Sequence, residues 1–144
     1  FQALHGYEAV AEVCLFLWAE ARKQKSRYTN NLGEQAQTAV AYLERFAARF
    51  PVGKPSLILI KARRAMVLQD IRKAGKYLDE AMTASRKVKI PYVEAQVVFE
   101  LSRFAGTPPH LRNHYRTTAQ DLFWRMRSQY FIEQLEAAAK ASRE

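Results

Sequence analysis

The sequence predicts an all-α protein of about seven helices, arranged as antiparallel hairpins stacked into an α-solenoid, and three observations predict it. Apolar and small residues recur three or four positions apart along most of the chain, which is the period of an amphipathic helix. A small, large, moderate spacing of four and then three returns at Ala36, Val40 and Leu43, at Ala74, Leu78 and Ala81, and at Ala119, Phe123 and Met126. These triplets lie 38 and 45 positions apart, and Phe50-Pro51 and Ile90-Pro91 lie 40 apart. A helical period of roughly 34–45 residues marks a solenoid, where each hairpin buries one face by stacking on its neighbour.

The first helix is expected from Gly6 to about Gln24, with Val10, Val13, Cys14, Leu17 and Trp18 on its core side and Phe16 off that side. A basic segment follows, Arg22 to Arg27, and Thr29, Asn30 and Asn31 then offer caps to a second helix that closes at Pro51. Its buried side reads Ala36, Val40, Leu43, Phe46 and Ala47. Pro55 and Ser56 suit the next helix start, because proline at the first helical position gives up an amide that lacks a partner anyway. Leu57 to Leu68 is apolar on more than one side, which predicts a helix sandwiched between neighbours. Gln69 and Asp70 leave room only for an antiparallel turn. The following helix carries the stripe Ile71, Ala74, Leu78, Ala81, Met82, Ser85 and Val88.

The third hairpin opens at Pro91, runs through Val98, Leu101 and Phe104, and breaks at Gly106-Thr107-Pro108-Pro109. His110 to Arg127 continues with Leu111, His114 or Tyr115, Ala119, Leu122, Phe123 and Met126. An alanine-rich helix, Gln129 to Ala141, ends the chain with Phe131, Ile132, Leu135 and Ala138 inward. The expected organisation is one helical-repeat domain over 1–144, with hairpins at about 6–50, 55–88 and 91–127 and a terminal helix at 129–142.

A chain of 144 residues, 49% hydrophobic and 12% aromatic, is long and apolar enough to bury a core. The lack of an initiating Met and of a signal peptide predicts a processed product or a piece of a longer chain. The longest apolar run, Val13 to Ala19, falls well short of the roughly 18–20 residues that span a bilayer, so a soluble protein is expected. The single cysteine, Cys14, has no partner for an intrachain disulfide and lies between Val13 and Leu15, as a small core filler does. An intracellular location is expected, the cytoplasm by default.

No catalytic constellation emerges. Five glycines are too sparse for a phosphate-cradling loop, and neither GxGxxG nor GxxxxGK occurs. His110 and His114 have the spacing of zinc ligands on one helix face, but their neighbours are Leu111, Arg112, Asn113 and Arg116, with no third ligand. No metal, no cofactor and no catalytic residue is therefore expected. Asp79, Glu80, Glu133 and Glu136 lie among Lys and Arg on helix faces, where solvation and helical pairing account for them.

Charge remains as the carrier of function. The net charge is +9, with basic clusters at Arg22 to Arg27, Lys61 to Arg64, Arg72 to Lys76, Arg86 to Lys89 and Arg112 to Arg116. That balance favours an acidic protein surface, nucleic acid or anionic headgroups as partner. The cations are spread over every helix instead of gathered on one recognition helix, which puts an acidic protein ahead of nucleic acid.

Ala74, Leu78 and Ala81, with Asp70 before them, resemble the second helix of a tetratricopeptide repeat, and Ala62-Arg63 and Ser102-Arg103 stand where that family often has a glycine in its first helix. The runs RFPVGKPSLILIKARRAM and ASRKVKIPYVEAQVVFELSRF are also similar to the degenerate repeats of multidomain nucleotide cyclases and related ATPase regulators. The resemblance spans Tyr7 to Ala138; the family's Trp, Gly and Tyr positions are largely replaced. It implies a right-handed solenoid whose first helices line a groove for peptides or adjoining domains. By that analogy Arg63, Met66, Val67 and, from the next hairpin, Arg103 are the groove candidates. The function implied is a non-catalytic scaffold or interaction module. The alternatives are a nucleic-acid-associated repeat and a regulatory segment of a cyclase or ATPase.

Overall fold

The computed structural model describes residues 2–126 and 133, 134, 136, 137, 139 and 140. Six helices are assigned among them, and no strand: α1 (Gln2–Lys23), α2 (Thr29–Arg49), α3 (Lys54–Val67), α4 (Ile71–Val88), α5 (Pro91–Arg103) and α6 (Pro109–Arg125). One 3-10 turn, Pro51–Gly53, leads into α3. The expected terminal helix at 129–142 lies largely outside the described residues. The chain divides into two compact units, Phe1–Glu80 and Ala81–Glu144, with the boundary inside α4.

Proline sets three of the starts. Pro55, Pro91 and Pro109 all occupy the first turn of their helices, where the missing N–H costs no bond. α2 ends at Phe50, whose extended backbone suits the residue before a proline. The start of α2 departs from expectation. Its N-cap is Tyr28, with no side-chain cap, because the Thr29 hydroxyl donates to the Ser26 carbonyl at 2.6 Å and the Ala21 carbonyl at 3.2 Å. α4 is capped by Asp70, whose Oδ1 accepts the Lys73 amide at 3.0 Å.

Three helices end in the same way. At α1 the Ser26 amide donates to the Ala21 carbonyl and the Lys25 amide to the Arg22 carbonyl. The paired bonds repeat at Asp70 and Gln69 after α3, and at Ile90 and Lys89 after α4, each closing a Schellman motif. Lys25, Gln69 and Lys89 sit at φ 51, 60 and 56, the left-handed position that glycine favours.

In the first unit α1 packs on α2, and α3 packs on both. The core gathers Leu4, Ala11, Leu15 and Trp18 of α1, Ala36, Ala39, Val40 and Leu43 of α2, and Ile60 of α3. This corrects the expected face of α1. Val10, Val13 and Leu17 are exposed, Cys14 is half-buried against the core, and only Trp18 of the predicted set is buried. The reason is that apolar residues cover more of α1 than one face, so periodicity alone does not choose between them. Small volume chooses it: Ala11 and Ala36 are both fully buried, which lets the two helices approach closely. Gly33 serves the same contact, since a Cβ there would lie 3.0 Å from the Trp18 ring. At the far end of α1, Tyr7, Phe46 and Phe50 stack with centroids 5.7 and 4.9 Å apart.

α3 has no exposed residue between Pro55 and Val67, in keeping with the sandwiched helix expected from its sequence. The predicted α4 stripe is buried at Ala74, Leu78, Ala81 and Ser85, while Ile71 and Val88 at its ends are exposed. Replacing Ala74, which is fully buried, with phenylalanine is expected to cost about 1–3 kcal/mol by overpacking. An unchanged urea midpoint would place α4 in a different register.

In the second unit α5 and α6 pack together across the connection that contains Thr107. Ala95, Val98 and Phe99 meet Ala119 and Phe123, with Met82, Tyr115, Leu122 and Met126 around them. Tyr115 rather than His114 is therefore the core-facing residue. Arg112 ties the connection to α6, its Nε donating to the Thr107 carbonyl at 3.1 Å.

Candidate functional site: a basic cleft in the first unit

At the end of α1 one of the chain's basic clusters borders a cleft. Arg22 and Lys23 occupy the last turn of α1, where the carbonyl end of the helix dipole favours positive charge. The Schellman turn then brings Lys25 and Ser26 round beside them. A cleft of about 570 Å³ opens here, walled by Arg22, Lys23, Lys25, Ser26 and Thr29 on one side and by Met66, Val67 and Gln69 of the α3 end on the other. Among the described residues no carboxylate lines it. A second cleft of about 710 Å³ shares Arg22 and Thr29 and extends past Asn30 and Gln37 to Arg64 and Leu68.

The cations differ in how far they are held. Lys23 bonds the Glu20 carboxylate at 2.8 Å on an exposed surface, a pair of small energetic weight. The Arg22 guanidinium lies 5.8 Å from the Trp18 ring centroid, and Arg27 stacks on Tyr28 at 4.8 Å while donating to its hydroxyl. Arg22 and Lys25 thus present charge at the mouth, and Met66 and Val67 give an apolar wall. Thr29 adds a hydroxyl already committed to backbone carbonyls.

The four residues expected to line a groove separate into two kinds. Met66 and Val67 are half-buried and wall this cleft, Val67 also packing against the core. Arg63, one turn earlier on α3, is turned to α1, where it bonds Glu12 at 2.5 Å with its side chain only 17% exposed. Arg103 belongs to the second unit. Its Nε and one terminal nitrogen each bond the buried Glu100 at 2.9 Å, and its guanidinium stacks on Phe99 at 4.8 Å. Both arginines are engaged within the fold. The residues that the groove analogy passed over are Arg22 and Lys25, although their cluster stands out in the sequence.

His110 and His114 are exposed on α6. Among the described residues no three His, Cys, Asp or Glu side chains come together as a metal site would require. None of the described helices is long and apolar enough to cross a membrane. Compared with known proteins, the chain matches no protein-family model, no curated protein and no solved structure.

Proposed function

We propose that the chain is a non-catalytic interaction module, a short solenoid of tetratricopeptide-like hairpins that takes up an acidic segment of a protein partner in the cleft between the α1 end and the α3 end. One observation carries the reading: cations and apolar side chains share the cleft, and among the described residues that line it none is acidic. An acidic segment would set carboxylates against Arg22 and Lys25 and lay one apolar side chain on Met66 and Val67. Exposed ion pairs contribute about 0.2–1 kcal/mol each. A buried aliphatic or aromatic anchor adds about 1.5–3 kcal/mol, so the apolar contact would dominate affinity. The net charge of +9 would mainly raise the association rate. A nucleic-acid strand would use the same cations but gives no role to the apolar wall.

The test is a titration of the chain with short acidic peptides, with and without a central leucine or phenylalanine, alongside a single-stranded oligonucleotide. Binding is expected to need both the acids and the apolar residue, and to fall roughly tenfold in Arg22→Glu and again in Met66→Ala, about 1.4 kcal/mol each. Preference for the oligonucleotide, with affinity dropping steeply as salt rises, would replace this reading with the nucleic-acid one.

A further inference from the structure

α3 carries three half-buried cations, and the fold treats them differently. Lys61 bonds Glu44 at 2.8 Å and Arg63 bonds Glu12. Among the described residues Arg64 bonds no carboxylate. A half-buried guanidinium gives up part of its hydration, a cost that an internal acid ordinarily offsets. Arg64 instead borders the second cleft, of about 710 Å³, where Leu68 lies one turn further along the same helix face. It also reaches a smaller cleft of about 410 Å³, but the two carboxylates lining that one are already engaged, Glu44 by Lys61 and Asp70 by the Lys73 amide.

A second observation joins this arginine to the site already described. Arg22 and Thr29 line both the first cleft and the second, so the two clefts adjoin at that pair. The lining then sets three features in order: Met66 and Val67 in the first cleft, Arg22 at the junction, and Arg64 in the second. Asn30 and Gln37 are exposed along the second cleft, and their amides offer donors and acceptors to the backbone of an extended segment.

The charges decide what such a segment carries. Lys23 is held by Glu20, which leaves Arg22, Lys25 and Arg64 as the cations of the two clefts with no carboxylate partner among the described residues. Glu34, exposed in the second cleft, opposes them. Three positive charges against one negative leave two, which two carboxylates neutralise and a phosphate dianion beside a carboxylate exceeds.

We infer that Arg64 reads a second acidic residue of the partner segment. The segment sets its apolar side chain on Met66 and Val67 and its first acid on Arg22 and Lys25, then continues extended past Thr29 to set its second acid on Arg64. Both acids therefore stand on the same side of the apolar residue. Arg64 determines specificity here, because the guanidinium fork takes a carboxylate in a fixed two-bond geometry. The inference rests on the acidic-partner reading and turns it from a charge preference into an ordered pattern.

Fluorescence anisotropy of labelled short peptides against the whole chain tests the pattern. The first peptide has a leucine and one aspartate, and the second adds an aspartate further along on the same side. A third places the same two aspartates on either side of the leucine, so that its charge equals that of the second, and each is made in both chain directions. In one direction wild type is expected to bind the second peptide about three- to fivefold more tightly than the first or the third, the worth of one ion pair near a surface. Arg64→Gln is expected to erase that gain while binding the first peptide as wild type does and keeping the wild-type urea midpoint, because Arg64 bonds no acid within the fold. Arg63→Gln, with the same loss of charge one residue away, is expected to keep the gain. Failure of wild type to bind even the first peptide would overturn the acidic-partner reading and this inference with it. Binding of the first peptide with no gain in the second, an equal gain in the third, or a gain that survives Arg64→Gln or that Arg63→Gln removes equally would overturn this inference alone and leave the acidic-partner reading standing.

Discussion

Replacing Phe123 with alanine is expected to destabilise the protein by about 3–5 kcal/mol, the range for deleting a buried aromatic ring. Phe123 is fully buried and is the largest side chain that α6 buries completely in the second-unit core. Ala95 and Ala119 are too small to swing into the space, so on their side the cavity would persist. Urea unfolding followed by far-ultraviolet circular dichroism should show a lower midpoint with an unchanged slope. A loss below about 1 kcal/mol would mean that the ring is not the centre of the α5–α6 contact.

Trp18→Ala should cost a similar amount, about 3–5 kcal/mol, and part of that loss should be recoverable at one position. Trp18 sits in the first-unit core with its ring against Gly33, where an added Cβ would lie 3.0 Å from ring atoms. Gly33→Leu alone is therefore expected to overpack the contact, at about 1–3 kcal/mol. Combined with Trp18→Ala, the leucine enters the vacated space. The double variant should then be more stable than the two separate losses predict, with a coupling of about 1–3 kcal/mol. Simple additivity in the urea midpoints would show that Trp18 and Gly33 do not share this contact.

Much of the helical layout was legible because its signals are local. Prolines remove an N–H and fix a φ wherever they stand, and Pro55 and Pro91 open the helices that their positions suggested, while Pro109, read as part of a break, stands in the first turn of α6. The small-large triplets also read correctly as buried positions: Ala36, Val40 and Leu43, Ala74, Leu78 and Ala81, and Ala119 with Phe123 are all buried. The face of α1 was not legible, since its apolar residues cover most of the helix circumference, and the choice rests on which residue is small enough for its neighbour. The helix ends at Lys25, Gln69 and Lys89 were hidden for another reason. The residue that usually marks such an end, glycine, is absent from all three.

The cleft divides along the same line. Met66 and Val67 were named through the groove analogy, and the Arg22 to Arg27 cluster is visible in the bare sequence. That the two meet is a consequence of α1 packing on α3, a contact between segments some forty residues apart. Arg63 illustrates the same point in reverse. Its partner Glu12 lies 51 positions away and no local pattern announces it. The Arg103 and Glu100 pair, three apart on one helix, was available to the ordinary rule for helical neighbours.

The three left-handed turns set two demands against each other at single residues. An L side chain at such a position strains the backbone by roughly 1–2 kcal/mol, which glycine would relieve. It also throws that side chain outward from the corner of the fold, and at Lys25 the corner is the mouth of the cleft. A chain selected only for an unstrained turn would have a glycine there. This one keeps a long cation at the turn, so the residue that makes the corner less stable is the same one that gives the corner its charge.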